Sequence, residues 1–115
     1  MLTIDQLRAY GADVEAGLAR CMNNEAFYLR LVGMELEDRN FAALEQALAN
    51  GDRKSAFEAA HALKGALGNL ALTPLCEPVS QITEALRGGD GPVDTGDLLP
   101  RIQAAYEALK ALAKA

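Results

Sequence analysis

The chain contains one histidine, His61, set in the run Glu58-Ala59-Ala60-His61-Ala62-Leu63-Lys64-Gly65-Ala66-Leu67-Gly68-Asn69-Leu70. At about 100° per residue, the apolar seam of this segment is Ala56, Ala59, Ala60, Leu63, Ala66, Leu67 and Leu70. With the seam centred on Leu63, His61 lies roughly 160° away, on the side that carries Lys54, Glu58, Gly65 and Gly68. Glycine inside a helix costs on the order of 1 kcal/mol relative to alanine. Two glycines on an outer face make sense where something must approach the backbone beside the imidazole. An imidazole in water at neutral pH is largely unprotonated and nucleophilic. The Lys64 ammonium, one turn on, is a compact charge suited to an anionic group. Imidazole, ammonium and open backbone together suit the acceptance and release of a phosphoryl group, a reaction that depends mostly on positioning and charge neutralisation. A mid-helix outer face offers no cleft for the orienting acid and oxyanion site of a nucleophilic triad.

Other readings of the same residues remain open. A lone surface histidine is usually without a role, and it is the flanking Lys64, Gly65 and Gly68 that argue otherwise. No metal site is expected, because on its own face His61 has only Glu58 and Gly65 at ligand spacing, and glycine cannot ligate. A set of His61, Cys21 and Cys76 would need both thiols to leave the core. Gly68 serves either partner approach or close packing against the next helix. Phe57, near 120° from the seam centre, reads as a core-edge residue or as an apolar docking contact. Asn69 is read as structural, and Cys21 and Cys76 as small buried hydrophobes.

The elements that position His61 are helices. Thr3 with Gln6 forms a capping box for a short first helix that stops at Gly11. Asp13 caps a second short segment carrying Val14, Leu18 and Met22. Asn24 opens a longer helix with Phe27, Leu31 and Met34 or Leu36 inward. Asn40 caps another, with Phe41, Leu44 and Leu48 recurring before Asn50-Gly51. Asp52 caps the His61 helix, which runs to about Leu70 or Leu72. Thr73-Pro74 starts the next, with Leu75, Val79, Ile82 and Leu86 inward, Pro78 in its second turn and Gly88-Gly89 at its end. Gly88 to Gly96 is the one long loop. A last helix carries Leu98, Ile102, Tyr106 and Leu109, with Lys110 and Lys114 where the helix dipole favours cations. Period-two alternation is absent. The expected fold is all-α: an up-down antiparallel four-helix bundle with an N-terminal helical cap and a C-terminal helix, one domain over 1–115.

Composition narrows the function classes. A chain of 115 residues, half of them apolar, supports one modest core. Ala and Leu dominate, while Trp is absent, as in helical bundles. A net charge of −5 argues against nucleic acid as partner. No apolar run approaches a membrane span, and no signal-peptide pattern begins the chain. Two cysteines without ligand spacing fit the cytoplasm.

The stretch His61-Ala62-Leu63-Lys64-Gly65, followed by Gly68-Asn69-Leu70-Ala71, resembles the signature of histidine-containing phosphotransfer (HPt) domains. Gly17-Leu18-Ala19-Arg20-Cys21 through Asn24, then Tyr28 and Leu31, is similar to the start of bacterial members, as is Leu44 to Asp52 before the histidine helix. The resemblance covers nearly the whole chain. It implies a free-standing, non-enzymatic phosphorelay intermediate in which His61 carries the phosphoryl group and Lys64 stabilises it. Gly65, with Gly68 and Phe57 nearby, would face the docked partner. The implied partners are a response-regulator receiver domain and/or a hybrid sensor histidine kinase. No cofactor is expected on this chain, since Mg²⁺ belongs to the receiver, and a monomer is expected. Family members often place a Gln or Glu from the following helix near the imidazole; here the nearest equivalents are Thr83 and Gln81. Two alternatives stay open: a helical adaptor that binds such a partner without transfer, and a phosphatase using Gln81 or Glu58 to orient water.

Overall fold

The computed structural model describes residues 1–88 and 94–114. Seven helices occur among them: α1 (Ile4–Tyr10), α2 (Val14–Arg20), α3 (Glu25–Glu35), α4 (Asn40–Ala49), α5 (Arg53–Asn69), α6 (Thr73–Leu86) and α7 (Leu98–Lys114). No strand occurs among the described residues. The starts are set by local chemistry. Thr3 and Gln6 form a reciprocal capping box on α1, and the side chains of Asp13, Asn24 and Asp52 accept from backbone N–H groups at the starts of α2, α3 and α5. α1 ends at Gly11 in the left-handed conformation, φ +108°.

Some expectations shift by a residue or two. Asn40 is the first helical residue of α4, not its cap; Asp38 accepts from the Asn40 N–H instead. α5 ends at Asn69, ahead of Leu70 and Leu72. In α3 the buried stripe is Tyr28 and Val32, continued by Leu36, whereas Phe27 and Met34 are 40% and 60% exposed. Met22 lies outside α2 with positive φ and is 85% exposed. Cys76 is only half-buried, unlike Cys21. Gly88 follows α6 with φ +66°, while Gly89 and the middle of the expected loop, 89–93, lie outside the described residues.

The core assembles around α5. Of the seam read from the wheel, Ala56, Ala59, Ala60, Leu63, Leu67 and Leu70 are buried, and Ala66 is half-buried. α4 packs on α5, α5 on α6, and α6 on α7. α6 contributes Leu75, Val79, Ile82 and Leu86, and α7 contributes Ile102 and Leu109. Alanines at the α5 seam let its neighbours approach closely, and α5 is thereby held on its inner side while its outer side stays uncovered.

Both ends of α5 are tied down. At its C-terminal end the Tyr28 hydroxyl donates to the Leu70 carbonyl (2.7 Å), Arg20 Nη1 donates to the Gly68 carbonyl (2.8 Å), and the Asp13 N–H donates to the Ala71 carbonyl (2.9 Å). These bonds satisfy carbonyls that a helix end leaves orphaned, and the guanidinium complements the negative end of the dipole. The Tyr28 ring fits because residue 17 is glycine: a Cβ there would stand 2.6 Å from the ring. At the other end Arg53 donates to the carbonyls of Leu86 and Ala85, joining the start of α5 to the end of α6.

Candidate functional site

His61 is exposed midway along α5. Phe57, one turn earlier, is half-buried and stacks on the imidazole with centroids 5.7 Å apart and planes 13° from parallel. The Arg87 guanidinium, just past α6, lies 5.3 Å from the Phe57 ring centre. Lys64 follows His61 by three residues and is half-buried, its Nζ 3.7 Å from Glu84 Oε1. Arg87 grips the same carboxylate through two bonds, Nε to Oε2 and Nη2 to Oε1, each 3.1 Å. Those bonds, then the Arg87 charge and a smaller Lys64 contribution, hold the Glu84 carboxyl below its ordinary range. Contacts therefore run in a chain of side chains from His61 through Phe57, Arg87 and Glu84 to Lys64.

Gly65 is exposed, and a Cβ built there would meet nothing within 4 Å. The outer surface next to Lys64 is thus open down to the backbone. Gly68 is half-buried and lies to the side, where a Cβ would make ordinary contact with Cys76 Sγ at 3.9 Å. Its carbonyl belongs to the Arg20 clasp. Gly68 thus faces α6, not only the open side.

Two residues considered as imidazole neighbours are placed elsewhere. Thr83 is fully buried and its hydroxyl donates back to the Val79 carbonyl at 2.7 Å, so it cannot serve the outer face. Gln81 is exposed and accepts from Arg101 of α7. Glu84 and Arg87 were not singled out in the sequence. Their i, i+3 spacing is a legible ion-pair signal, but nothing local says that the pair lies over Phe57 and against Lys64. Among the described residues no group of three His, Cys, Asp or Glu side chains gathers as metal ligands.

The family model of the Hpt domain matches residues 29–112, which take in most of α3, all of α4 to α6 and α7 up to its last two residues. The chain belongs to the Hpt domain family. Searches of curated proteins and of solved structures find no match. Hpt domains are phosphocarrier modules of two-component signalling, not enzymes, and they work with receiver domains and kinases. The Hpt match covers the whole of the His61 helix and every member of this chain of side chains. No described helix of this Hpt protein is long and apolar enough to cross a membrane.

Proposed function

We propose that this Hpt domain relays phosphoryl groups through His61, exchanging them with the aspartate of a receiver domain. The carrying observation is an exposed imidazole in mid-α5 beside open backbone at Gly65, within the segment that places the chain in the Hpt family. In the forward step an imidazole nitrogen lone pair attacks phosphorus. The phosphorus–oxygen bond to the receiver aspartate breaks, its carboxylate leaves, and a phosphorus–nitrogen bond forms on His61. The return step reverses these changes. Such a transfer is loose and charge-dominated, so the acceptor must be reachable and the equatorial charge neutralised. Lys64 supplies a cation from this chain, and the receiver brings Mg²⁺ with its own carboxylates. Gly65 leaves room for the receiver's loops, and Phe57 offers an apolar edge next to the imidazole.

The helices suit that task as an up-down antiparallel bundle of α4 to α7, with α1 to α3 forming the cap. Sequential packing and short connections at 50–52 and 70–72 support this arrangement. We take 1–115 as one unit, because α1 to α3 clasp the end of α5 and the Tyr10 hydroxyl donates to Ala105 of α7.

The test is incubation of the full chain and its His61→Gln variant with a panel of phosphorylated receiver domains. Intact mass reports uptake, and acid lability with alkali stability identifies phosphohistidine. Uptake by the parent protein alone supports the relay. Labelling of the variant, or receiver binding without uptake by the parent, overturns it, the latter in favour of a non-transferring adaptor.

A further inference from the structure

The Lys64 ammonium is already engaged before any phosphoryl group arrives. Its Nζ lies 3.7 Å from Glu84 Oε1, and Glu84 is itself fixed by the paired Arg87 bonds. Arg87 is in turn seated over Phe57, which stacks on His61. The Glu84 carboxylate is thus a fixed anion on the helix facing α5, anchored from behind and directed at the cation that the relay requires. We infer that Glu84 is a positioning residue that competes with the phosphoryl group for Lys64 and so sets how tightly phosphohistidine is held. The inference rests on the His61 reading above.

The competition has a direction. A phosphoryl group near neutral pH carries about −1.5 to −2 charges against the single charge of a carboxylate, so it draws Lys64 away from Glu84. Part of the attraction is spent on breaking the resting pair. The phosphorylated state is therefore held less firmly than an unopposed lysine would hold it. That suits a carrier, which must release what it accepts. The Lys64 side chain is half-buried at 39% exposure and Glu84 is exposed at 57%, so water screens the pair, which is weak, and the effect is modest.

Phosphoramidate is the probe. Its phosphorus–nitrogen bond breaks, ammonia leaves, and the phosphoryl group passes to the imidazole without a protein partner. The full chain, Glu84→Gln, Lys64→Ala and the double variant are labelled at low ionic strength, and the phosphohistidine half-life is followed by ³¹P NMR. Glu84→Gln should lengthen the half-life about two- to fivefold, the range open to an exposed ion pair, and added salt should shrink the gain. In the Lys64→Ala background the same substitution should change the half-life little. An unchanged half-life in Glu84→Gln overturns the inference. So does an equal gain with and without Lys64, since that would be plain repulsion between Glu84 and phosphate. Either result leaves phosphorylation of His61 standing. Failure of the parent chain to label at His61 instead removes the relay reading itself.

Discussion

Replacing Gly65 by alanine should make the protein more stable, and replacing it by leucine should make it a worse carrier. Gly65 is in the interior of α5, and its absent Cβ points into open space. Alanine there meets no atom and removes the backbone entropy that glycine carries in the unfolded chain, so the gain approaches 1 kcal/mol. For a domain of this size that raises Tm by about 4 °C. Gly17 is the internal control. Its position is also helical, but a Cβ would stand 2.6 Å from the Tyr28 ring, whose hydroxyl is committed to Leu70. Gly17→Ala must displace a buried ring and strain that bond, and the net cost should be about 1–3 kcal/mol despite the better helix propensity. Thermal melts of the three variants measure the stability terms, and receiver-to-His61 transfer rates measure the function. Gly65→Leu should keep its stability and lose transfer, because four added carbons occupy the approach to the imidazole. A destabilised Gly65→Ala would show that the space is not open. Unimpaired transfer by Gly65→Leu would show that this opening is not where the receiver docks.

Lys64→Ala should shorten the phosphohistidine half-life and slow transfer while shifting Tm by no more than a degree or two, since an exposed ion pair contributes under about 1 kcal/mol; equal half-lives would remove Lys64 from the site. Tyr28→Phe deletes the donor to the Leu70 carbonyl and should cost about 1–2 kcal/mol in denaturant melts without blocking labelling of His61; an unchanged midpoint would mean that the clasp is held by Arg20 and Asp13 alone. Glu35, at the end of α3, has a buried carboxyl oxygen without a partner, and burial, followed by the hydrogen bond and charge of Asp38, pushes its pKa up to about 8. The folded protein then binds a proton that the unfolded chain releases near 4.5, so this contribution is complete below that pH and is lost as pH rises through about 8. Glu35→Gln should therefore gain about 1–2 kcal/mol over the parent between pH 5.5 and 8.5, discounted for partial exposure. Parallel stability curves for the two proteins would refute this.

What could be read from the sequence was what is decided locally. Thr3, Asp13, Asn24 and Asp52 cap their helices because a short polar side chain meets the N–H groups a few residues ahead. The inner face of α5 follows from a run of alanines and leucines with one register. α3 is different, because Phe27, Leu31 and Met34 also recur at helical spacing, one residue away from Tyr28 and Val32. The choice between the stripes is made far away, by the space over Gly17 and the carbonyl of Leu70. Thr83 misled for a related reason. A threonine one helix along from the imidazole looks like a site residue, yet its hydroxyl satisfies itself on the preceding turn and is buried. Arg20, Glu84 and Arg87 act on residues that only the folded chain brings near them.

The same contacts bear on how the protein tolerates an opening beside the imidazole proposed to carry the phosphoryl group. Gly65 and Gly68 each weaken α5 by roughly 1 kcal/mol at the level of helix propensity, and they fall in its last two turns, where a helix frays first. Fraying there would move His61 and Lys64 relative to one another, which the positioning-dependent transfer proposed for them would not tolerate. The clasp from Arg20, Tyr28 and Asp13 closes on the carbonyls of Gly68, Leu70 and Ala71, at the second of those glycines and just beyond it. It comes from the α1 to α3 segment, which contributes nothing to the chain of side chains that runs from His61 to Lys64. The N-terminal segment is thus the counterpart of the open face: it holds the helix end on which Gly65 leaves the surface open and Gly68 lies against α6. Loosening the clasp should slow transfer more than it lowers binding, because it disturbs geometry and leaves the exposed surface in place.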